Sequence, residues 1–174
     1  MNLLFIGDVV GQSGCDFLES RMYKLKREYD IDVTVVNGEN SAQGNGITPQ
    51  SYRQLLNIGA DVVTTGNHSF RRREAEELYD TNEQLLRPAN YPEGVMGHGV
   101  TYIDMCPYKI AVVNLMGTMY MEAVENPFNY VDKLLESIDT PNIIVDFHAE
   151  TTSEKKAMGF YLQKRCTALL GTHT

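Results

Sequence analysis

The sequence predicts an α/β layered fold with a mostly parallel sheet, flanking helices and one hairpin. Three observations predict it. Short apolar runs alternate with amphipathic stretches along the chain. Most of those runs are continuous and rich in Val, Ile and Leu, as strands covered on both faces require. Helix starts are marked by capping residues. Residues 3–7 and 33–37 read as the first two strands. Between them, residues 16–29 place Leu18, Met22, Leu25 and Tyr29 on one helical face. Thr48-Pro49 sets an N-cap before a proline at the first helical position, ahead of a strand over 62–65. Residues 71–77, "RRREAEE", read as a solvated helix start, and residues 87–99 as a long loop. The stretch "VTYIDMCPYKIAVVNLMG" reads as two strands joined by a turn at Pro107-Tyr108, the second covering 110–114. Residues 127–138 carry Phe128, Val131, Leu135 and Ile138 on one helical face, before a strand over 143–147. Thr151-Thr152-Ser153-Glu154 reads as a capping box opening a helix over 155–165, and 168–170 is the last apolar run.

Composition narrows the class of function. A length of 174 residues fits a single domain spanning 1–174, and 43% hydrophobic with 22% charged residues fits a soluble protein with a real core. With 15 basic against 23 acidic residues the net charge is −8, so no global positive field draws in a polyanion, and DNA binding is not expected. An acidic chain that handles small phosphates needs a local source of positive charge, and a metal ion is one. Cys15, Cys106 and Cys166 are scattered and form no CxxC unit, which reads as reduced thiols in a cytoplasmic protein. The opening "MNLLFIGD" is too short for the apolar core of a signal peptide, and no run is long enough to span a bilayer.

The polar residues gather where the apolar runs end. The first strand runs into Gly7-Asp8 and the second into Gly38-Glu39-Asn40. The third gives Gly66-Asn67-His68, a later one Asp146-Phe147-His148, and the last Gly171-Thr172-His173. In a parallel sheet these ends share one edge, where ligands of open α/β folds bind. Each residue alone has a plain explanation as a cap, a turn former or a satisfied interior histidine. Their coincidence favours a metal site. Carboxylates, amide oxygens and imidazoles without thiolate suit iron or manganese, with zinc or magnesium as alternatives. The donors outnumber the needs of one tetrahedral ion, so a pair of divalent ions is expected. Such pairs serve phosphoryl chemistry, with a metal-bridging hydroxide attacking phosphorus in line.

The motifs "GDVVG", "NGEN", "GNH", "DFHAE" and "GTHT", in this order with "RPANYPEG" and "TSEK" between them, resemble the YmdB-like branch of the calcineurin-like metallophosphoesterases. The resemblance runs through essentially the whole chain. It implies a layered metallophosphoesterase-like sandwich in the bacterial cytoplasm, acting on a small phosphodiester or nucleotide substrate, 2′,3′- or 3′,5′-cyclic nucleotides among them. By resemblance, Asp8, Glu39 and Asn40 hold the first ion, and Glu39 bridges to a second held also by Asn67, His148 and His173. His68 is then the general acid that protonates the leaving oxygen. Two departures stand out. After GNH the family shows Thr-Trp-Asp, where this chain has Ser69-Phe70-Arg71. The family motif reads Gly-Thr-His-Thr-His, and its final histidine completes the first ion's shell; this sequence reads Gly171-Thr172-His173-Thr174. The resemblance therefore implies a domain incomplete at its C-terminus, without the last strands, and a weakened first site.

Two other readings compete. In "GDVVGQSG", Gly7, Gly11 and Gly14 imitate a Rossmann-like nucleotide-binding turn, with Glu39 where a ribose-binding acid sits. Their spacing departs from G-x-G-x-x-G, and this reading leaves His68, His148 and His173 unexplained. The third reading is a non-catalytic relative that binds or assembles, a homo-oligomer formed through an uncovered sheet edge. No substrate contact is assigned from sequence; Arg71, Arg72, Arg73 and Arg87 are the cations that could meet a phosphate.

Overall fold

The computed structural model describes residues 1–173, and its strands form two four-stranded sheets, the layered sandwich that the family resemblance implies. The expectation attached to Thr174 lies outside the described residues. In the first sheet β1 (Leu3–Ile6), β2 (Val33–Asn37), β3 (Val62–Thr64) and β4 (Leu85–Leu86) lie parallel in that order. In the second, β5 (Val100–Asp104) and β6 (Lys109–Met116) form the expected hairpin, and β7 (Ile143–His148) and β8 (Ala168–Thr172) continue parallel to β6. Helices α1 (Gly11–Glu28), α2 (Pro49–Ile58) and α3 (Glu76–Thr81) go with the first sheet, and α4 (Pro127–Ser137) and α5 (Thr152–Tyr161) with the second.

The period-2 alternation of the strands explains the layering. One set of side chains (Val33, Val35, Val62 and Leu86 against Ile110, Val112 and Ile144) packs the two sheets together. The alternate set packs outward. Val36, Val63 and Leu85 meet Leu18, Met22 and Leu55 of α1 and α2, while Val113, Val145 and Phe147 meet Val131 and Met158 of α4 and α5. Both faces of each central strand are therefore buried, at roughly 1.5–3 kcal/mol per large apolar side chain.

The seam between the sheets changes character toward the strand ends. Along the seam-facing register, Val33 and Val35 are followed by Asn37, Val62 by Thr64, Ile110 and Val112 by Asn114, and Ile144 by Asp146 and His148. All of these polar residues are buried. The seam is hydrocarbon at one end and a hydrogen-bonded polar layer at the other. Asn114 donates from Nδ2 to the carbonyls of Thr65 and Leu86, tying the second sheet to the first at 2.8 and 3.2 Å.

Local signals fix most boundaries, and three differ from expectation. Thr48 caps α2 in a reciprocal bond with Ser51, and Gly59 ends it in the left-handed conformation. Helix α1 begins at Gly11 rather than 16, because Val10 at its N-cap offers no capping side chain to mark the start. Helix α5 covers Thr152–Tyr161 and only half of its capping box forms. Thr151 accepts from the Glu154 amide, but the Glu154 carboxylate turns away to accept from the Thr118 and Met119 amides at 2.8 and 3.3 Å. Strand β4 is two leucines long, too short for periodicity to register.

Candidate metal centre

Three donors converge at the polar end of the seam. His148 Nε2 lies 3.2 Å from Glu39 Oε2 and 3.1 Å from Asn67 Oδ1. Glu39 and His148 have fully buried side chains. His173 closes the group: one ligand atom from each of Glu39, His148 and His173 lies within 4.8 Å of the others, the one such cluster among the described residues. An imidazole nitrogen facing two oxygen acceptors at these distances needs a cation between them, either a proton on Nε2 or a metal ion. Burial opposes charge on both Glu39 and His148, yet their mutual hydrogen bond and ion pair outweigh it. Glu39 is held below the usual carboxylate range and His148 above the usual imidazole range.

The surroundings set which His148 nitrogen is free. Thr172 Oγ1 donates to Asp146 Oδ1 at 2.7 Å, and a hydroxyl has one proton to give. It therefore accepts from His148 Nδ1 at 2.9 Å, which leaves Nε2 as the ligating atom. Asp146 is itself fully buried. Desolvation raises its pKa, against the lowering effect of donors from Thr64, Thr172 and Asn37 at 2.5, 2.7 and 3.0 Å. Support of this kind orients a metal-binding histidine and is worth roughly 10–100-fold in metal affinity. Thr172→Val should weaken Mn²⁺ binding by about that factor, while Thr172→Ser keeps it near the parent value; calorimetric titration of the metal-free chain measures both.

On the neighbouring side the remaining expected residues form a hydrogen-bonded chain. Asn40 Nδ2 donates to Glu39 Oε1 at 3.0 Å and to Asp8 Oδ2 at 3.4 Å. His68 Nδ1 lies 2.9 Å from Asn40 Oδ1 and 3.1 Å from Glu39 Oε1, and the His68 amide donates to Glu39 Oε2 at 3.1 Å. Asp8 Oδ1 accepts the His173 amide at 3.3 Å. Asp8, Glu39, Asn40, Asn67, His68, His148 and His173 are thus one contiguous network, with Asp8, Asn40, Asn67 and His68 outside the three-residue cluster. His98 stands apart, its Nε2 bonded to the Glu83 carbonyl at 3.0 Å.

Two features of the site have roles that the motifs containing them, GNH and DFHAE, do not reveal. Glu150 accepts from His173 Nε2 at 2.6 Å, holding a residue whose backbone sits at φ +74°, a conformation that costs a non-glycine residue about 1–3 kcal/mol. Gly66 lets the third strand end pass directly beside the centre: a Cβ there would collide with the His148 ring at Cδ2 and with Glu39 Oε2. The arginines divide. Arg87 is buried and donates to the carbonyls of Pro88, Ala89, Val95, Met96 and Gly97, so it organises its own loop. Arg72 donates to the carbonyls of Gln43 and Asn45, and Arg71 faces a cavity beside His68.

Residues 4–174 match one family model, that of the YmdB-like proteins. The chain belongs to the YmdB-like family. It is 44% identical over 176 residues to a Bacillus subtilis (strain 168) protein named 2′,3′-cyclic-nucleotide 2′-phosphodiesterase, covering 100% of this chain and 67% of that one. Among solved structures, this YmdB-like chain superposes on a hypothetical protein from Thermus thermophilus with a TM-score of 0.94 at 38% identity, over 100% of this chain and 68% of that one. A novel phosphatase from Mycoplasma pneumoniae superposes with a TM-score of 0.94 at 32% identity, over 99% and 63%. The chain spans about two thirds of the length of these relatives. The two-sheet sandwich is therefore shared with these two solved structures over the parts that match. No helix among the described residues is long and apolar enough to cross a membrane.

Proposed function

We propose that this chain carries the centre of a metal-dependent phosphodiesterase acting on small phosphodiesters, cyclic nucleotides among them. The observation that carries the reading is the approach of Glu39, His148 and His173 to within 4.8 Å, with His148 Nε2 turned inward by Thr172. The names of the Bacillus phosphodiesterase and the Mycoplasma phosphatase support hydrolysis of a phosphoester. Oxygen and imidazole donors fit iron or manganese. Glu39, Asn67, His148 and His173 would hold one ion, and Asp8, Glu39 and Asn40 a second. Bound ions would supply positive charge for the phosphate oxygens and lower the pKa of the attacking water.

The protein's own groups do the rest. Glu39 gives one oxygen to each side of the centre, Oε2 toward His148 and Oε1 toward Asn40 and His68. His68, with a quarter of its side chain exposed, is held at Nδ1, so Nε2 is the atom positioned to hand a proton to the leaving oxygen. A phenolate leaves readily without a proton and a sugar alkoxide does not. With Mn²⁺, His68→Ala should therefore reduce turnover of a 2′,3′-cyclic nucleotide by about 10²–10⁴-fold, and that of bis(p-nitrophenyl) phosphate far less. Equal losses on both substrates would remove His68 from this role, and turnover unchanged by His148→Ala would remove the phosphodiesterase reading itself.

A further inference from the structure

A cavity of about 380 Å³ opens beside the centre, within the size range of small-molecule sites. Asn67 and His68 form part of its wall, and Phe70, Arg71, Tyr91 and Glu122 complete it. These residues come from three separate loops. Phe70 is braced against Tyr79, with ring centroids 5.1 Å apart, and meets Tyr91 edge-on at 5.5 Å. Arg71 pairs with no carboxylate among the described residues. The Tyr91 hydroxyl donates to Glu122 Oε2 at 3.2 Å, and burial, reinforced by Glu122, keeps that phenol protonated. The loop bearing Glu122 is pinned at both ends. Its start is held by the Glu154 carboxylate on the Thr118 and Met119 amides. Its end is held by Asn90, whose carbonyl accepts the Glu125 amide and whose Nδ2 donates to the Glu125 carbonyl. The exposed Glu122 thus lies in the cavity wall on a loop held at both ends, with Oε2 engaged by Tyr91.

The lining matches a nucleobase joined to a phosphodiester. Aromatic edges suit a planar ring, and a carboxylate reads hydrogen-bond donors alone. Among the common bases, only guanine places two N–H donors side by side on its pairing edge. Adenine and cytosine place a donor beside an acceptor, and uracil sets one donor between two carbonyls. We propose that this cavity binds the base of a nucleotide substrate and that Glu122 selects guanine. The inference rests on the phosphodiesterase reading for the substrate's phosphate, but the base preference is measurable without turnover.

Calorimetric binding of GMP and AMP to the full chain, with Mn²⁺ present, tests it. The parent should bind GMP 10–100-fold more tightly than AMP, roughly the span of one or two charge-assisted hydrogen bonds. Glu122→Gln replaces two acceptors with an acceptor and a donor, the complement of adenine, so the GMP-to-AMP ratio should fall to about 1 or invert. Equal affinities in the parent, or a ratio that Glu122→Gln leaves unchanged, would overturn the proposal. Hydrolysis of the base-free bis(p-nitrophenyl) phosphate reports separately. Its failure alongside a guanine preference would overturn the phosphodiesterase reading and leave the base pocket standing.

Discussion

Gly66→Ala should leave the chain folded but reduce its affinity for Mn²⁺ by on the order of 10²-fold, the effect of a displacement of about 1 Å in a preorganised site. The new methyl group would overlap His148 at Cδ2 and Nε2 and Glu39 at Oε2. None of these can yield cheaply. The His148 ring is fixed by Thr172 at Nδ1, and Glu39 is fixed by the His68 amide and Asn40 Nδ2. The strain falls on the two groups whose separation defines the centre. Overpacking should also lower stability by about 1–3 kcal/mol, measurable by urea unfolding. An unchanged Mn²⁺ affinity would mean that His148 and Glu39 can move apart without loss, and that they do not share an ion.

His148→Ala should be the most destabilising change at the centre. Glu39 has no exposed side-chain surface and is held ionised chiefly by His148 once the cost of burial is met. Removing one partner of a buried pair leaves the other uncompensated, typically at about 3–5 kcal/mol. The Glu39→Gln/His148→Ala double variant should recover part of that loss, because the orphaned charge is gone. Urea midpoints of the parent, both singles and the double variant measure the coupling. Strict additivity would show that the two groups do not sense each other in the metal-free protein.

The site was more legible in the sequence than the sheet arrangement that builds it. Asn37, Asp146, His148 and Thr172 stand at the ends of apolar runs, on the same alternation as Val33, Val35, Ile144 and Leu170, so their convergence follows from a strand period of two. The division into two sheets came through the family resemblance and not from the apolar pattern, because a strand buried on both faces reads alike whether a helix or another sheet covers it. Val35 meets the opposite sheet and Val36 meets helices, yet both are fully buried valines. The contacts that support the centre were hidden, although the residues that make them stand in the motifs GNH, DFHAE and GTHT. Thr172, Glu150 and Gly66 act through contacts set by the crossing of separate strand ends, and a threonine or a glycine at a strand end has many plainer uses. Tyr91 and Glu122 reach one cavity from loops 31 residues apart, a distance that no local pattern spans.

The phosphodiesterase reading depends on Glu39, His148 and His173 holding a divalent ion together. Thermal unfolding of the EDTA-stripped chain with increasing Mn²⁺ tests that most directly, in the parent and in His173→Ala. His173 is partly exposed and its loss leaves no charge buried among the core strands. The parent should gain about 5–10 °C in Tm at Mn²⁺ about 100-fold above the dissociation constant. His173→Ala should show little gain at the same concentration. Identical Mn²⁺-dependent gains in the two proteins would contradict a shared ion.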